Sequence, residues 1–314
     1  MTDTGPLFVS SGNLIADRRY KWALDQAGRG DFVGAADVLA QTVELAPHFA
    51  TAWFALGAIR DRLGDRTGAI AAFEHARDAD PEDYHGARLQ LARLGTGGGN
   101  PAMTEAYVRR LFDQYAARYD TALNERLAYR GPAILLDAIE GAMRSAGRPM
   151  RFGSMLDLGC GTGLGGAALR RFVDRMVGVD LSPAMIAQAA AKGFYDRLVT
   201  AEIGEFLAKE VADRARYGLV IAADVFVYLN EPAPIVSAVA HILAPDGLLA
   251  FTVETHSGDG TKLLPTLRYA HSEAYLRRTI AAAGLIVLEL AEAAVRTEKG
   301  EPVQGLVAVA VRQA

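Results

Sequence analysis

Apolar and polar positions follow two different patterns along the chain. From Phe152 onward, short apolar runs suited to strands alternate with helical stretches, which is typical of a parallel α/β sheet. The predicted strands span residues 154–158, 176–179, 198–201, 219–222, 248–253, 285–290 and 306–311. The last two runs are joined through a turn-forming segment at 299–302, and they predict an antiparallel hairpin that closes the sheet.

The N-terminal third carries an internal repeat instead. Four positions recur with a period of 34 residues, namely Gly30/Gly64, Asp31/Asp65, Ala35/Ala69 and Pro47/Pro81. This pattern resembles the tetratricopeptide repeat, a helix–turn–helix unit of that length. In the second copy, small Gly57 would let two helices approach while Trp53 and Phe73 fill the gap between them. The first copy is degenerate, with Arg19 at an aromatic position, and we expect a capping helix over residues 82–94.

These patterns predict a helical repeat domain over residues 1–95, a linker over 96–104 and an α/β domain over 105–314. The linker begins with Thr-Gly-Gly-Gly-Asn-Pro, which breaks both patterns and favours a flexible connection. Repeats of this kind bind protein partners on a concave surface, but two copies are fewer than the roughly three that an independent solenoid needs. Partner binding, self-association and bracing of the α/β domain are therefore three alternatives for the repeats.

Composition narrows the classes of function. The 314 residues are 51% hydrophobic and 22% charged, as expected for a globular chain of two domains. The formal net charge of -4 disfavours nucleic acid as a partner. A single cysteine, Cys160, excludes an internal disulfide and a multi-cysteine zinc site, so we expect no metal. The chain shows neither a secretory signal nor the ~18 apolar residues of a membrane span, so a cytoplasmic protein is expected.

The first predicted strand runs into a glycine-rich loop. Residues 155–163 read Met-Leu-Asp-Leu-Gly-Cys-Gly-Thr-Gly. Gly161, Gly163 and Gly166 match the G-x-G-x-x-G spacing of dinucleotide-binding proteins, and Asp180 lies where a ribose-binding acid is expected. The spacing of these glycines and of Asp180 is therefore also compatible with a nucleotide-dependent oxidoreductase. Asp157 favours a different ligand, because an acid at this strand end would repel a pyrophosphate but tolerates an amino group and a sulfonium.

Residues 157–163 resemble the first motif of class I S-adenosylmethionine-dependent methyltransferases. Residues 180–185, which read Asp-Leu-Ser-Pro-Ala-Met, resemble the second motif. Together with the repeats, the chain resembles bacterial predicted methyltransferases that carry tetratricopeptide repeats. The resemblance covers about residues 105–314. It implies a Rossmann-like, seven-stranded mixed sheet with a C-terminal antiparallel hairpin after a small all-α domain, S-adenosylmethionine as the cofactor, and methyl transfer as the activity.

The same resemblance implies the residues that hold the cofactor. Asp157 would face the methionyl ammonium, and Asp180 would accept hydrogen bonds from both ribose hydroxyls. Glu202 would accept from the adenine amine, unless it is a solvated loop acid. Further implied contacts are Gly159, Cys160, Gly161, Thr162, Gly163, Leu181, Met185, Ala201, Ile203, Ala223 and Asp224. Cys160 lies inside the cofactor loop, so we expect it to pack there and not to act as a nucleophile.

A segment before the α/β core carries two tyrosines, Tyr115 and Tyr119, on one face of a predicted helix. In related methyltransferases such a segment folds over the cofactor as a lid, so Tyr119 is a further implied cofactor contact. A role for these tyrosines in the core is the alternative.

The methyl acceptor should bind beyond the carboxyl ends of strands four and five, where open α/β sheets bind ligands. This rule selects Asp224, Tyr228, Glu254 and His256. His256 and Tyr228 are candidate bases or orienting groups. His271 is a second candidate base or a contact at the start of a helix predicted over residues 273–283, for which Ser272 is the expected N-cap.

Three hypotheses follow from the sequence. The first is methyl transfer from S-adenosylmethionine to a small molecule or a protein side chain. The second is a non-catalytic adaptor that uses the same fold and the repeats to bind a partner. The third is a nucleotide-dependent oxidoreductase. The acceptor stays unnamed, because the Asn-Pro-Pro-Tyr motif typical of amino-group methylation is absent from the sequence.

Overall fold

The computed structural model describes residues 8–96, 99–116, 129–298 and 300–313. The chain divides into two compact units, one of Met1–Arg110 with Pro265–Leu267 and the other of Leu111–Leu264 with Arg268–Ala314. The helices are α1 Leu14–Gly28, α2 Phe32–Leu45, α3 Ala50–Arg62, α4 Arg66–Ala79, α5 Ala87–Arg93, α6 Glu105–Tyr115, α7 Gly131–Ser145, α8 Leu164–Leu169, α9 Pro183–Lys192, α10 Ile203–Ala212, α11 Ala233–Ile242 and α12 Glu273–Ala282. The strands are β1 Phe152–Leu158, β2 Val173–Asp180, β3 Arg197–Thr200, β4 Tyr217–Ala222, β5 Leu243–Glu254, β6 Thr261–Leu263, β7 Tyr269–His271, β8 Leu285–Glu292, β9 Thr297–Glu298, β10 Glu301–Pro302 and β11 Gly305–Arg312.

The helical unit contains two helical hairpins, α1–α2 and α3–α4, whose turns have the same local structure. Gly30 and Gly64 close the turns with left-handed φ angles of +87° and +81°, which favour glycine. Asp31 and Asp65 then cap the following helices, and each carboxylate accepts the backbone N–H three residues later at 2.9 Å. The sequence period is therefore also a period of local structure.

Packing within this unit explains the other repeat positions. A Cβ on Gly57 would approach the Phe73 ring to 2.8 Å, so glycine lets α3 and α4 come together. In the first hairpin the buried aromatic is Tyr20, whose ring centroid lies 5.5 Å from that of Phe49. The predicted start of the capping helix is wrong. Helix α5 begins only at Ala87, because the left-handed backbone at Asp83 interrupts the chain before it.

The second unit is built on a mixed sheet with the strand order β3-β2-β1-β4-β5-β11-β8. The first five strands run parallel, and β11 pairs antiparallel with both β5 and β8. The predicted Rossmann-like sheet and its C-terminal hairpin are thus confirmed. The short strands β6 and β7 extend the sheet beside β5.

Helices cover both faces of this sheet, as the near-continuous apolar strands require. Apolar side chains of α10, α11 and α12 form one core cluster with the sheet, and those of α7 and α8 form the other. Helix α12 begins where predicted, because the Ser272 hydroxyl accepts the Tyr275 backbone N–H at 3.3 Å and caps it. Among the described residues, no helix is long and apolar enough to span a bilayer.

Strand order also fixes where a ligand can bind. Strand β1 has β2 on one side and β4 on the other, because the chain passes outward from β1 to β2 and β3 and then crosses back to β4 on the opposite side of β1. At such a switch point, the loops after the strands separate and leave a crevice at the carboxyl ends. The loops after β1, β2, β4 and β5 are therefore the ones that can form a site.

Candidate functional site

The loop between β1 and α8 has a backbone that only glycine adopts readily. Gly159, Gly161 and Gly163 have φ angles of +61°, +53° and +89°. The backbone N–H of Cys160, between them, donates to the Val179 carbonyl at 3.0 Å and ties the loop to β2. The loop is thus held in a tight turn directly beyond the carboxyl end of β1.

Two of these glycines also make room for protein side chains. A Cβ on Gly159 would lie 2.6 Å from Val225, and one on Gly163 would lie 3.1 Å from the ring of Tyr195. Glycine is therefore needed at these two positions so that Val225 and Tyr195 can pack against the loop. The sequence predicts a second reason, which is the close approach of a ligand to the backbone.

Asp180 ends β2 with both carboxylate oxygens held by backbone donors. One oxygen accepts the Gly161 N–H at 2.9 Å, and the other accepts the Ser182 N–H at 2.8 Å. Burial raises the pKa of Asp180, these N–H groups lower it, and the nearby Asp113 carboxylate raises it again. The side chain is consequently fixed at the mouth of the crevice, and further lone pairs remain for a ligand.

Asp157 is more deeply buried, at 2% exposure. One of its oxygens accepts a hydrogen bond from the Tyr195 hydroxyl at 2.6 Å. Burial raises the pKa of Asp157 to about 7; the Tyr195 hydrogen bond lowers it, and the charge of Asp180 raises it. Tyr195 is not among the residues predicted from the sequence, because nothing in the segment between α9 and β3 marks this tyrosine as a partner of β1.

A third acid reaches the same crevice. Asp113, on α6, accepts a hydrogen bond from the Ser182 hydroxyl at 2.5 Å. Within the described part of the chain, neither Asp113 nor Asp157 nor Asp180 has an ion-pair partner. No group of acids, histidines and cysteines that could hold a metal ion is found among the described residues.

Other predicted cofactor residues lie around Asp180. The Ala201 N–H donates to the Asp180 carbonyl at 3.1 Å, which brings the end of β3 beside the end of β2. Glu202 has a role that the sequence did not indicate, because its carboxylate accepts the Glu205 N–H at 2.8 Å and caps α10. Burial raises the pKa of the Cys160 thiol, which favours packing over nucleophilic attack. Tyr119 lies outside the described residues.

The ends of β4 and β5 also carry acids, and these are paired. Asp224 has a left-handed φ of +60°, and its backbone N–H donates to the Thr252 hydroxyl at 2.9 Å. Its carboxylate contacts the guanidinium of Arg268, which also lies 2.6 Å from Glu254. The carboxylate of Asp224 is thus already paired inside the protein, and its predicted contact with a cofactor stays a prediction.

The same buried cluster extends to Tyr228 and Arg296. The Tyr228 hydroxyl accepts from Arg268 at 3.0 Å, and burial raises the pKa of this phenol. Arg296 bonds Glu254 at 2.8 Å. Burial alone would lower the pKa of Arg268, but the surrounding carboxylates, Asp224 first, raise it well above its usual value. Tyr228 thus serves this ionic cluster, and its geometry argues against a role as base.

The two candidate histidines differ in their surroundings. His271 is fully buried, with Nε2 3.0 Å from the Phe226 carbonyl and Nδ1 3.1 Å from the Thr261 hydroxyl. Burial lowers its pKa, so it is a neutral structural group and not an accessible base. His256 lines an open cavity of about 790 Å³, bordered further by Ser257, Glu273, Arg277 and Gln304. Among the described residues, none that is predicted to hold the cofactor lines this cavity.

The part of the chain that contains the glycine loop and Asp180 is similar to known proteins. Residues 156–251 match a family model described as a methyltransferase domain. That segment begins within β1 and ends within β5, so it contains the glycine loop, Asp180 and the end of β4. No curated protein sequence matches the chain.

Solved structures share the fold at low sequence identity. The 1,6-didemethyltoxoflavin-N1-methyltransferase of Burkholderia thailandensis, crystallised with its substrate and S-adenosylhomocysteine, is 19% identical over 69% of this chain and 94% of its own, with a TM-score of 0.50. The N-methyltransferase NodS of Bradyrhizobium japonicum WM9, bound to S-adenosylhomocysteine, is 18% identical over 66% and 98%, also at 0.50. The [4+2]-cyclase SpnF is 15% identical over 69% and 100%, at 0.52. The chain thus has the class I methyltransferase fold, and its residues 156–251 match a methyltransferase domain.

Proposed function

We propose that the methyl donor binds at the carboxyl ends of β1 and β2, between Asp157 and Asp180. The observation that carries this proposal is the set of buried acids without ion-pair partners among the described residues. S-adenosylmethionine brings a sulfonium and an ammonium, and a cationic ligand is what such a set of carboxylates favours. A dinucleotide would instead bring its pyrophosphate against Asp157.

Each implied contact then has a physical role. Asp180, oriented by the Gly161 and Ser182 N–H groups, would accept the ribose hydroxyls. Asp157 would receive the ammonium group. The remaining donor contacts would come from the glycine loop and the ends of β2 and β3: Gly159, Cys160, Thr162, Gly163, Leu181, Met185, Ala201, Glu202 and Ile203. Ala223 and Asp224, which follow β4, would add contacts from the neighbouring strand, and the Asp224 carboxylate would keep its pairing with Arg268.

When bound, S-adenosylmethionine supplies a methyl group that its positive sulfur activates toward a nucleophile. The chain's own residues have then mainly to orient the two reactants and keep water away, because positioning supplies much of the rate of such a transfer. The fixed carboxylates of Asp157 and Asp180 orient the donor from two sides.

The acceptor side of this proposal favours His256 over the other two candidates. His256 borders a cavity at the carboxyl end of β5, whereas His271 is fully buried and Tyr228 bonds Arg268. Its Nδ1 accepts the Gly258 N–H at 3.0 Å, which leaves the proton on Nε2, 3.1 Å from the Gly260 carbonyl. His256 would therefore have to exchange one of these backbone contacts for the acceptor in order to orient it or to act as a base. A small molecule or a protein side chain fits this position.

The proposal for the helical unit is a pair of tetratricopeptide repeats. The repeated Gly–Asp turns and the Gly57–Phe73 contact support it. The repeats would bind a protein partner, mediate self-association or brace the α/β domain, and these three roles remain alternatives. A cytoplasmic location is proposed from the single cysteine.

Calorimetry with S-adenosylhomocysteine tests the donor site. Asp180→Ala should weaken binding about 100-fold, because charge-assisted hydrogen bonds to the ribose are lost. The matched control is Asp174→Ala, which removes an exposed acid of the same strand, paired with Arg151 at 2.9 Å, and should change affinity by less than about twofold. Circular dichroism checks that both variants fold. Unchanged binding by Asp180→Ala, or binding of NAD, would contradict the donor site.

Turnover is tested by S-adenosylhomocysteine formation in the presence of panels of small molecules and peptides. Formation that depends on one acceptor class identifies the substrate and supports catalysis. An adaptor role would be favoured if the Asp180→Ala protein kept its cellular effect after losing donor binding.

A further inference from the structure

Tyr195 lies between α9 and β3, with its ring against a surface made by glycines. A Cβ on Gly166 would come within 2.6 Å of this ring, and one on Gly178 within 2.9 Å. Gly178 is on β2 and Gly166 is on α8, so the ring fills the space that the missing side chains leave between these elements. The tyrosine is therefore held in one place by packing.

The hydroxyl of Tyr195 joins two parts of the candidate donor site. It donates to the Asp157 carboxylate at 2.6 Å and accepts the Gly166 N–H at 3.1 Å. Burial raises the pKa of the Tyr195 phenol well above its usual value, so the hydroxyl remains a donor at neutral pH. One side chain thus links the acid at the end of β1 to the helix that follows the glycine loop.

We infer that Tyr195 is a positioning residue for the methyl donor, which holds the Asp157 carboxylate in the orientation and ionisation state that receive the donor's ammonium group. This inference rests on the proposed donor site. Tyr195 lies outside both sequence motifs. It acts through Asp157 and does not need to contact the ligand itself.

Tyr195 affects the charge on Asp157 in a direction that can be measured. The ionisable groups facing Asp157 are the Tyr195 phenol, the Asp180 carboxylate and the Cys160 thiol. Of these, Tyr195 stabilises the ionised carboxylate by donating to it, whereas Asp180 opposes ionisation. Loss of the Tyr195 hydroxyl should therefore raise the pKa of Asp157, and the ammonium should bind well only at higher pH.

The chain offers a matched control for this chemistry. Tyr217, at the start of β4, donates to the buried carboxylate of Glu210 at 2.6 Å, the same bond type and length as the Tyr195–Asp157 pair. Glu210 is on α10 and also bonds Arg197, so this second pair belongs to packing between the helix and the sheet. A purely structural tyrosine–carboxylate bond is expected to behave like this one.

The experiment compares Tyr195→Phe with Tyr217→Phe by calorimetric titration of S-adenosylhomocysteine from about pH 6 to about pH 9. Tyr195→Phe should weaken binding about tenfold at neutral pH and move the midpoint of the pH profile upward. Tyr217→Phe should leave affinity and midpoint unchanged, while both variants lower the thermal midpoint of unfolding by similar amounts. In an Asp157→Asn background, Tyr195→Phe should change affinity by less than about twofold, because the group through which it acts is gone.

Two outcomes overturn the inference while leaving the donor site in place. One is a Tyr195→Phe profile with the wild-type midpoint, even if the affinity is uniformly lower. The other is an undiminished effect of Tyr195→Phe in the Asp157→Asn background. If the wild-type protein does not bind S-adenosylhomocysteine at all, the proposed donor site fails, and the inference about Tyr195 fails with it.

Discussion

Two neighbouring regions at the carboxyl edge of the sheet both carry acidic side chains. In one region the acids have no ion-pair partner among the described residues, and in the other they are paired with an arginine. Asp157 and Asp180, at the ends of β1 and β2, are buried without an ion-pair partner among the described residues. Glu254, at the end of β5, is buried, and Asp224, after the end of β4, is partly exposed; the two share the guanidinium of Arg268. Burial of an acid at a strand end therefore does not by itself indicate a ligand site.

What separates the two regions is the source of the compensating charge. A buried carboxylate costs free energy unless a cation or hydrogen-bond donors balance it. In the β4–β5 region the protein supplies arginines, so the charges of the carboxylates are balanced without a ligand. In the β1–β2 region the protein supplies neutral donors, and a positively charged ligand would complete the balance.

The largest expected effect comes from removing the arginine of the compensated region. Arg268→Met should lower the free energy of unfolding by about 3–5 kcal/mol, because the buried Glu254 and the partly exposed Asp224 would both lose the guanidinium that they share. Urea denaturation measures this loss. Arg278→Met is the control, since Arg278 pairs with Asp259 at an exposed position and should cost less than about 1 kcal/mol. Equal losses in the two variants would contradict the distinction between the regions.

Asp157→Asn should raise the free energy of unfolding at alkaline pH, in contrast to the loss expected for Arg268→Met. Burial raises the pKa of Asp157 in the folded protein to about 7 from its ordinary value of 3.8, so the folded protein holds a proton that the unfolded chain releases between these values. Stability from this group is present at low pH and is lost as pH rises toward 7. The amide should therefore raise the free energy of unfolding by about 1–3 kcal/mol at about pH 8 and hardly change it at about pH 4.

Denaturation at both pH values checks this prediction, and calorimetry should show weaker binding of S-adenosylhomocysteine by the same variant. Asp174→Asn, on the exposed part of β2, serves as the control and should show no gain at either pH. A stability change for Asp157→Asn that is the same at both pH values would show that burial does not penalise the ionised carboxylate.

The smallest expected effect is that of Tyr228→Phe. This change removes one hydroxyl that accepts from Arg268 and keeps the ring that packs against Phe112, so stability should fall by about 1 kcal/mol. Donor affinity should stay the same, because the Arg268 cluster is separate from the donor site in the proposed arrangement. A tenfold loss of S-adenosylhomocysteine affinity would show that the Arg268 cluster takes part in donor binding, and it would contradict the separation of the two regions.

The sequence predicted the sheet well because its signals are local. Each strand is a short apolar run, and each run is followed by a turn or a helical stretch that can be recognised within a few residues. The donor-site acids were recognisable for the same reason, since Asp157 and Asp180 each end a strand, and parallel strands bring their carboxyl ends to one edge. Helix α5 was predicted too long, because the Pro81 signal does not reveal the left-handed backbone at Asp83 and Gly86.

By itself, the amino-acid sequence determined the order of the strands along the chain, the glycine loop and the acids beside it. Only the tertiary structure decided which acids are compensated. Arg268 lies 44 residues from Asp224, Arg296 lies 42 residues from Glu254, and Tyr195 lies 38 residues from Asp157. Separations of this size follow no helical or strand period, so these pairings arise only when the folded sheet brings the segments together.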